Sequence, residues 1–262
     1  MNKFSSTILI FVTISGVMLT SCEMVNTIFA TPTPTSTNTP TITPTSTITP
    51  SPTPTFTPTP VPTGVRTESL PNGTTLVTDF DNKYQLTLPA GWIVIPLTAD
   101  DLSAILAELA DSNEALAETA EVFEALDSDV IRVVALNEDP NYIQNGFGTN
   151  LTVAALEDAV LSAMPIAFVT GALEETFAQR GANVLTDGVN ILTSANGVEV
   201  GMLEVEEGTP SATGSTLNIS TKYLVFISEG KLILVQLATH KEFQDELFPS
   251  MDKVLESITL LE

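Results

Sequence analysis

A stretch of threonine and proline, residues 31–63, constrains the fold of this chain more than any other feature of the sequence. Proline fixes the φ angle and lacks the backbone N–H that helices and central strands need, so neither can form there. The stretch also has too few apolar side chains to offset the entropy lost on ordering. We therefore expect an extended stalk of polyproline II type, with a contour on the order of 100 Å at ~3.1 Å per residue. Such a composition is typical of O-glycosylated stalks, and a bare spacer would have the same one.

The segment ahead of the stalk has the pattern of a secretory signal. One basic residue, Lys3, precedes an apolar run over residues 8–19, and small residues follow the run. A positive start, a short apolar centre and small residues before the cleavage point are typical of a signal peptide. The run of about a dozen residues is shorter than the ~20 that a membrane-spanning helix needs, which argues against a retained transmembrane helix.

The signal ends in Leu-Thr-Ser-Cys, residues 19–22, which resembles the lipobox of bacterial lipoproteins. The resemblance implies that residues 1–21 are removed and that Cys22 then carries lipid, palmitate included, on its sulfur and amino group. Cys22 is the only cysteine, so it has no disulfide partner in the chain, whereas lipidation accounts for it. A plain secretory peptide with an accidental cysteine is the alternative. Because acyl chains form a stable anchor, we expect the protein at the outer face of the cytoplasmic membrane or the cell surface.

The charge of the chain argues against nucleic acid as a partner. The sequence has 32 acidic and 9 basic residues, a net charge of −23. Lys3 and Glu23 are the charged residues before Gly64, so the rest of the chain has the same net charge. Such a surface repels both nucleic acid phosphates and anionic lipid headgroups. The lipid anchor, rather than the domain, is therefore expected to hold the protein at the membrane.

Residues 74–262 are predicted to form one globular domain, preceded by a lipidated N-terminus and disordered linker over residues 22–73. Period-2 alternation and turn residues predict strands rather than parallel βαβ repeats. Helical periodicity appears in three places, and Pro249 is expected to kink or split the last helix. The predicted strands are residues 75–79, 84–89, 93–95, 131–136, 149–155, 190–194, 198–206, 216–228 and 232–238, and the helical regions are 98–126, 164–180 and 243–255.

Turn and cap residues add detail to this pattern. Asn196-Gly197 predicts a hairpin between two strands. Residues 239–242, Thr-His-Lys-Glu, resemble a capping box at the start of the last helix. The strand at 232–238 is apolar on both faces, so it should lie centrally in the sheet. Trp92, the only tryptophan, either plugs the edge of the core or lines a binding site. Together these features predict an α+β fold with helices packed on a central antiparallel sheet.

Several stretches resemble the PsbP/Mog1-like family. They are the phrase Tyr-Gln-Leu-Thr-Leu-Pro-Ala-Gly-Trp at residues 84–92, the strand at 147–153, the hairpin formed by 222–227 and 231–238, and the terminal helix. The resemblance implies an α/β/α sandwich around a central antiparallel sheet. Members of the family include photosystem-associated proteins, nuclear-transport factors and bacterial lipoproteins of unassigned role. None of the matched positions belongs to a catalytic motif, so the resemblance implies no site residues.

The sequence contains no recognisable catalytic or metal-binding motif. The only histidine, His240, has no cysteine available as a nucleophile, because Cys22 is predicted to be acylated. Carboxylates follow one face of the predicted helices at 98–126, including Glu114, Glu118 and Glu121. Calcium needs six to eight oxygens from a loop that wraps the ion, which carboxylates along a helix do not provide. We therefore predict a solvated acidic face, no catalytic residue, no metal site and no cofactor.

Two classes of function remain after these exclusions. The first is a non-catalytic, lipid-anchored protein that offers an acidic surface or a sheet–helix groove to an envelope protein. The second is a lipoprotein of an envelope or transport complex that binds a small ligand or a divalent cation. An enzyme is not expected. Saturable binding of calcium, manganese or peptidoglycan fragments would favour the second class, and a co-purifying protein without such binding would favour the first.

Overall fold

The computed structural model describes residues 62–97, 130–144, 147–210 and 216–262. The signal segment, Cys22, most of the Thr/Pro stretch and the helical region predicted at 98–126 lie outside these residues. In the described part the strands are β1 (Val65–Ser69), β2 (Thr75–Asp79), β3 (Tyr84–Leu88), β4 (Trp92–Pro96), β5 (Ile131–Asn137), β6 (Ile143–Gln144), β7 (Phe147–Gly148), β8 (Asn150–Leu156), β9 (Asn183–Val184), β10 (Asn190–Thr193), β11 (Glu199–Pro210), β12 (Thr216–Ser228), β13 (Lys231–His240) and β14 (Thr259–Leu260), and the α-helices are α1 (Ile166–Gln179) and α2 (Gln244–Ser257).

A large antiparallel sheet forms the centre of the described part. Its strand order is β10-β11-β12-β13-β8-β5-β4, and β9 pairs with β11 off this path. The strands β12 and β13 form a hairpin whose turn residues Glu229 and Gly230 both have positive φ angles. β13 lies between β12 and β8, so the prediction of a central strand at residues 232–238 is confirmed.

A second, smaller sheet has the order β1-β2-β3-β14. The strand β1 lies N-terminal to residue 74, where the sequence led us to place the start of the folded part, and it pairs with β2 along its whole length. The C-terminal strand β14 pairs with β3, and the backbone N–H of Leu261 donates to the Lys83 carbonyl at 2.8 Å. Both ends of the described chain therefore meet at the hairpin turn between β2 and β3.

The small sheet and α2 cover one face of the large sheet. Tyr84 and Leu86 from β3, Met251 from α2, and Leu224 and Phe226 from β12 belong to one buried cluster. Burying each such side chain contributes roughly 1.5–3 kcal/mol, so this cluster is the main source of stability for the domain. The predicted α+β class with helices on a central antiparallel sheet is confirmed, and the small sheet is an addition to it.

The helix α1 packs on the opposite face of the large sheet. Ile166, Val169 and Phe177 from the helix contact Leu203 and Tyr223 in a second buried cluster. Residues 164–180 were predicted as a helix, and the observed bounds confirm it. Pro165 stands at the N-cap and Gly181, with φ +86°, follows the C-cap.

Of two local predictions near the last helix, the capping box is wrong and the split at Pro249 is not observed. The capping box does not form, because β13 continues to His240 and the Thr239 hydroxyl instead pairs with that of Thr149 at 2.8 Å. The helix α2 also runs through Pro249 without being split. Leu247 on one side of Pro249 and Met251 on the other belong to the same buried cluster, so packing holds both halves in one helix.

Candidate functional site

A surface cleft of about 520 Å³ lies where the small sheet, β5 and α2 meet. Its walls are the turn at residues 89–92, the segment 137–139 with Tyr142, and three residues of α2: Glu246, Leu247 and Ser250. We refer to these residues as the distal cleft. It is a groove between sheet and helix, one of the two kinds of surface expected from the sequence.

The turn after β3 forms the first wall of the distal cleft. Gly91 has a φ angle of +81°, which glycine adopts without steric cost, and its carbonyl accepts from the Glu138 N–H at 3.0 Å. Trp92 then pairs with Asn137 at the start of β4. The Trp92 side chain is 8% exposed and belongs to the main buried cluster, so it is mainly a core residue with one edge on the cleft.

The second wall is fixed by a short polar turn. Asn137 Oδ1 accepts from the Asp139 N–H at 2.9 Å, and Asp139 Oδ1 accepts from the Asn141 N–H at 2.9 Å. Asp139 thereby caps the 3₁₀ helix Pro140–Tyr142. The ring of Tyr142 packs edge-on against Phe243, with centroids 5.1 Å apart. These contacts hold a carboxylate and an aromatic ring on the same side of the cleft.

The second wall interacts electrostatically with α2. The Glu246 carboxylate favours the protonated form of the nearby Tyr142 hydroxyl, and this is the main reason why the pKa of Tyr142 rises to about 12. Partial burial and the negative charge of Asp139 raise the pKa further. Glu246 also lies in the first turn of α2, where a carboxylate interacts favourably with the helix dipole. Its carboxylate therefore interacts both with the helix dipole and with Tyr142.

The distal cleft is strongly acidic. Glu138, Asp139 and Glu246 line it, and no lysine or arginine does. Among the described residues, the five ion pairs involve none of these three carboxylates. Their negative charges are thus not balanced by a neighbouring cation of the described chain.

The opposite end of β5 carries a different arrangement. Arg132 Nε lies 2.9 Å from Asp79 Oδ2, and Arg132 Nη2 lies 2.6 Å from Asp81 Oδ2. The Gly64 N–H donates to Asp81 Oδ1 at 2.9 Å, so the N-terminal entry of the domain is tied to this ion-pair cluster. From Arg132 to Asn137, β5 rises by roughly 17 Å at ~3.4 Å per residue. The entry at Gly64 and the distal cleft therefore lie at opposite ends of the same strand.

The other residues that the sequence analysis considered are either part of the buried structure of the fold or lie outside the described residues. Cys22 and the acidic helical face at 98–126 are not among the described residues. His240 is buried, with its ring edge-on to Phe147 at 5.4 Å. Asp79, at the end of β2, is paired with Arg132.

Two searches of the described residues gave no site. Within residues 62–97, 130–144, 147–210 and 216–262, no group of three or more His, Cys, Asp or Glu side chains is placed to hold a metal ion. In the same ranges, no helix is long and apolar enough to cross a membrane.

The sequence analysis did not find the distal cleft as such. It singled out Trp92 and the turn before it, but Tyr142 and Glu246 are far apart in sequence and carry no shared motif. The acidic stretch after β5, Asn137-Glu138-Asp139, is a turn signal that is common in loops. Only the packing of α2 against β3 brings these residues together.

Comparisons with known proteins give similar structures but no similar sequence. No family model matches the chain, and no curated protein is similar to it in sequence. The solution structure of cyanobacterial PsbP from Synechocystis sp. PCC 6803 is 16% identical, with a TM-score of 0.43, over 72% of this chain and 93% of that one. LpqN of Mycobacterium tuberculosis, described as involved in cell envelope biogenesis, is 14% identical, with a TM-score of 0.39, over 72% and 91%. A protein of unknown function from Pseudomonas aeruginosa is 11% identical, with a TM-score of 0.40, over 53% and 87%.

Proposed function

We propose that this chain is a non-catalytic, lipid-anchored protein of the cell envelope that displays an acidic interaction domain on a stalk. Cys22 is its attachment to the membrane, residues 31–63 are the stalk, and the distal cleft receives a protein partner. The lipobox pattern supports the anchor, and the net charge of −23 supports a domain that does not bind anionic lipid on its own.

The observation that carries this proposal is the position of the distal cleft. The chain enters the domain at Gly64, which is bound to Asp81, whereas the cleft lies at the far end of β5. A domain tethered through Gly64 turns its stalk end toward the membrane and its cleft away from it. The partner is accordingly expected in the space outside the membrane rather than at the lipid surface.

The size of the distal cleft favours a second candidate function. A volume of about 520 Å³ is in the range that small-molecule sites occupy. A small-ligand lipoprotein of an envelope or transport complex is therefore the alternative. The cleft is open and acidic rather than enclosed and apolar, and this favours a segment of a protein over a small ligand.

Membrane attachment is tested with Cys22→Ser in cells of the native host. We expect the variant to lose processing and membrane association, whereas Thr20→Ser, two residues away, should be processed and retained as the parent is. A Cys22→Ser protein that is still cleaved after Ser21 and stays on membranes in high salt would contradict the anchor.

The position of the partner site is tested with a photo-cross-linking residue placed at Ser250 in the distal cleft. The matched control places it at Glu229, an exposed turn residue at the stalk end of the large sheet. Irradiation of intact cells should give a discrete protein adduct from position 250 and none from position 229. Equal adducts from both positions, or adducts from 229 alone, would show that the cleft is not the partner site.

A further inference from the structure

The distal cleft combines negative charge with aromatic edges, and this combination restricts what can bind there. Glu138, Asp139 and Glu246 are without an ion-pair partner among the described residues, although the domain has buried cations elsewhere. Lys222, for example, is buried and pairs with Glu204 at 3.3 Å and with Asp252 at 3.0 Å. A positively charged ligand would neutralise the carboxylates of the cleft, as Lys222 neutralises Glu204 and Asp252.

Two carboxylates of the cleft are positioned by their surroundings. Glu246 lies in the first turn of α2 near the Tyr142 hydroxyl, and the Tyr142 ring packs against Phe243. Asp139 uses Oδ1 for both of its hydrogen bonds with Asn141, so Oδ2 remains available as an acceptor. Carboxylates that are already ordered bind a cation without a further entropic loss, and hydrogen bonds to charged donors are the stronger kind.

Two aromatic residues line the same space. Tyr142 and Trp92 are walls of the cleft, together with the turn at residues 89–91. A guanidinium group can hydrogen-bond to two carboxylates and also pack on an aromatic ring, because it is planar and weakly hydrated. An ammonium group satisfies the charge with a less specific geometry.

We propose that the distal cleft binds an arginine- or lysine-bearing segment of the partner protein, with the cationic side chain between Asp139 and Glu246. This inference rests on the proposed function, because it names the chemistry of the partner. Asp139 and Glu246 bind the cation, and Tyr142 positions Glu246. Arginine is the preferred residue, since it uses both the carboxylates and the aromatic edges.

The test is a titration of the chain from residue 22 with Cys22→Ser, followed by the fluorescence of Trp92 and by calorimetry. Because Trp92 is the only tryptophan and lines the cleft, its emission reports on this site. The probes are a tetra-arginine peptide and its tetra-citrulline counterpart, which has the same shape without the charge. We expect saturable binding of tetra-arginine with a change in Trp92 emission, and none of tetra-citrulline.

Variants separate the cleft from the general negative charge of the domain. Glu246→Gln should weaken tetra-arginine binding by about tenfold, the loss of one charge-assisted hydrogen bond. Asp245→Asn removes the same charge from the same turn of α2 outside the cleft, and should leave the affinity within about twofold because exposed charges are screened. Tyr142→Phe keeps the ring and removes the hydroxyl, and should lower the affinity by roughly threefold through a less ordered Glu246.

Three outcomes would overturn the inference. Equal losses for Glu246→Gln and Asp245→Asn would mean that binding follows net charge only. Equal binding of tetra-citrulline would mean that the ligand is neutral. If tetra-arginine does not bind but position 250 still gives a protein adduct, the partner segment is not cationic. The proposed function would stand in that case.

Discussion

Arg132 and Asp79 form an ion pair that joins the two sheets and is closed to water. Arg132 belongs to β5 of the large sheet and Asp79 ends β2 of the small one; their side chains are 5% and 0% exposed. Asn82 Nδ2 also donates to Asp79 Oδ2 at 2.7 Å, which satisfies a further lone pair of the buried carboxylate. A register shift between Ile131 and Val133 interrupts the pairing of β5 with β8 at Arg132. The contact between the sheets is thus polar at the stalk end and apolar over the rest.

Removing one partner of this pair should be strongly destabilising. Arg132→Met leaves the Asp79 carboxylate buried without its cation, and we expect a loss of about 3–5 kcal/mol in the free energy of unfolding, measured in urea. The double variant Arg132→Met/Asp79→Leu removes both charges and should recover a large part of that loss. Lys222→Met is the comparison, because Asp252 is largely exposed and can be hydrated. A cost for Lys222→Met as large as that for Arg132→Met would contradict this account.

Asp81 should make the stability of the domain dependent on acid pH. The N–H of Gly64, followed by hydrogen bonding and charge from Arg132, lowers the pKa of Asp81, against a smaller rise from partial burial. A lowered pKa in the folded state stabilises the fold fully above the unfolded value of about 3.9. This stabilisation is lost as the pH falls through the lower folded value. The melting temperature should therefore fall more steeply below about pH 4 in the parent than in Asp81→Asn; equal slopes would contradict the prediction.

In the folded protein, each of the three tyrosines should ionise at a higher pH than a free tyrosine does. Burial raises the pKa of Tyr84 and of Tyr223, and the neighbouring Glu246 carboxylate raises the pKa of Tyr142 to about 12. Raised values stabilise the fold below the unfolded pKa of about 10, and this contribution is lost as the pH rises through the folded values. Phenolate absorbance should therefore begin with Tyr142. Glu246→Gln should shift this first step to lower pH, and a step that does not move would show that Glu246 is not its cause.

The close approach of α1 to β11 at Gly201 gives another stability test. A Cβ at this position would overlap Thr170 Oγ1 and lie 3.1 Å from Thr170 Cβ. Gly201→Ala should cost about 1–3 kcal/mol by overpacking, and adding Thr170→Ala should restore part of this. Gly171 lies next to Thr170 on α1, and an added Cβ there would lie 3.4 Å from Val189 Cγ2. Gly171→Ala should therefore stabilise α1 by up to ~1 kcal/mol. Additive effects of the Gly201 and Thr170 changes in chemical denaturation would contradict direct contact.

The sequence predicted the strands and the helix whose signals are local. Residues 75–79 and 216–228 match β2 and β12 in both bounds, because alternation and turn residues are read within a few positions. The helix α1 was similarly predicted at residues 164–180 from its local periodicity. The strand β1 was missed because Val65-Arg-Thr-Glu-Ser has little apolar alternation and is held by its pairing with β2.

Features that depend on distant contacts could not be found in this way. From its sequence neighbours, Thr239 was predicted to cap the last helix. Its hydroxyl instead pairs with that of Thr149, 90 residues away, because Thr239 is buried in the sheet. Tyr142 and Glu246 meet only because α2 packs along β3. The sequence predicted either an acidic face on residues 98–126, which lie outside the described residues, or a groove between sheet and helix, and it named none of the carboxylates of the distal cleft.

The position of β1 has a mechanical consequence for the proposed tether. The chain enters the domain at Gly64, and β1 then runs from Val65, opposite Asp79, to Ser69, opposite Thr75. In the proposed arrangement, a pull between the membrane and a partner at the distal cleft would be directed along this strand. The hydrogen bonds between β1 and β2 would then be loaded together in shear, rather than opened one after another as in a zipper.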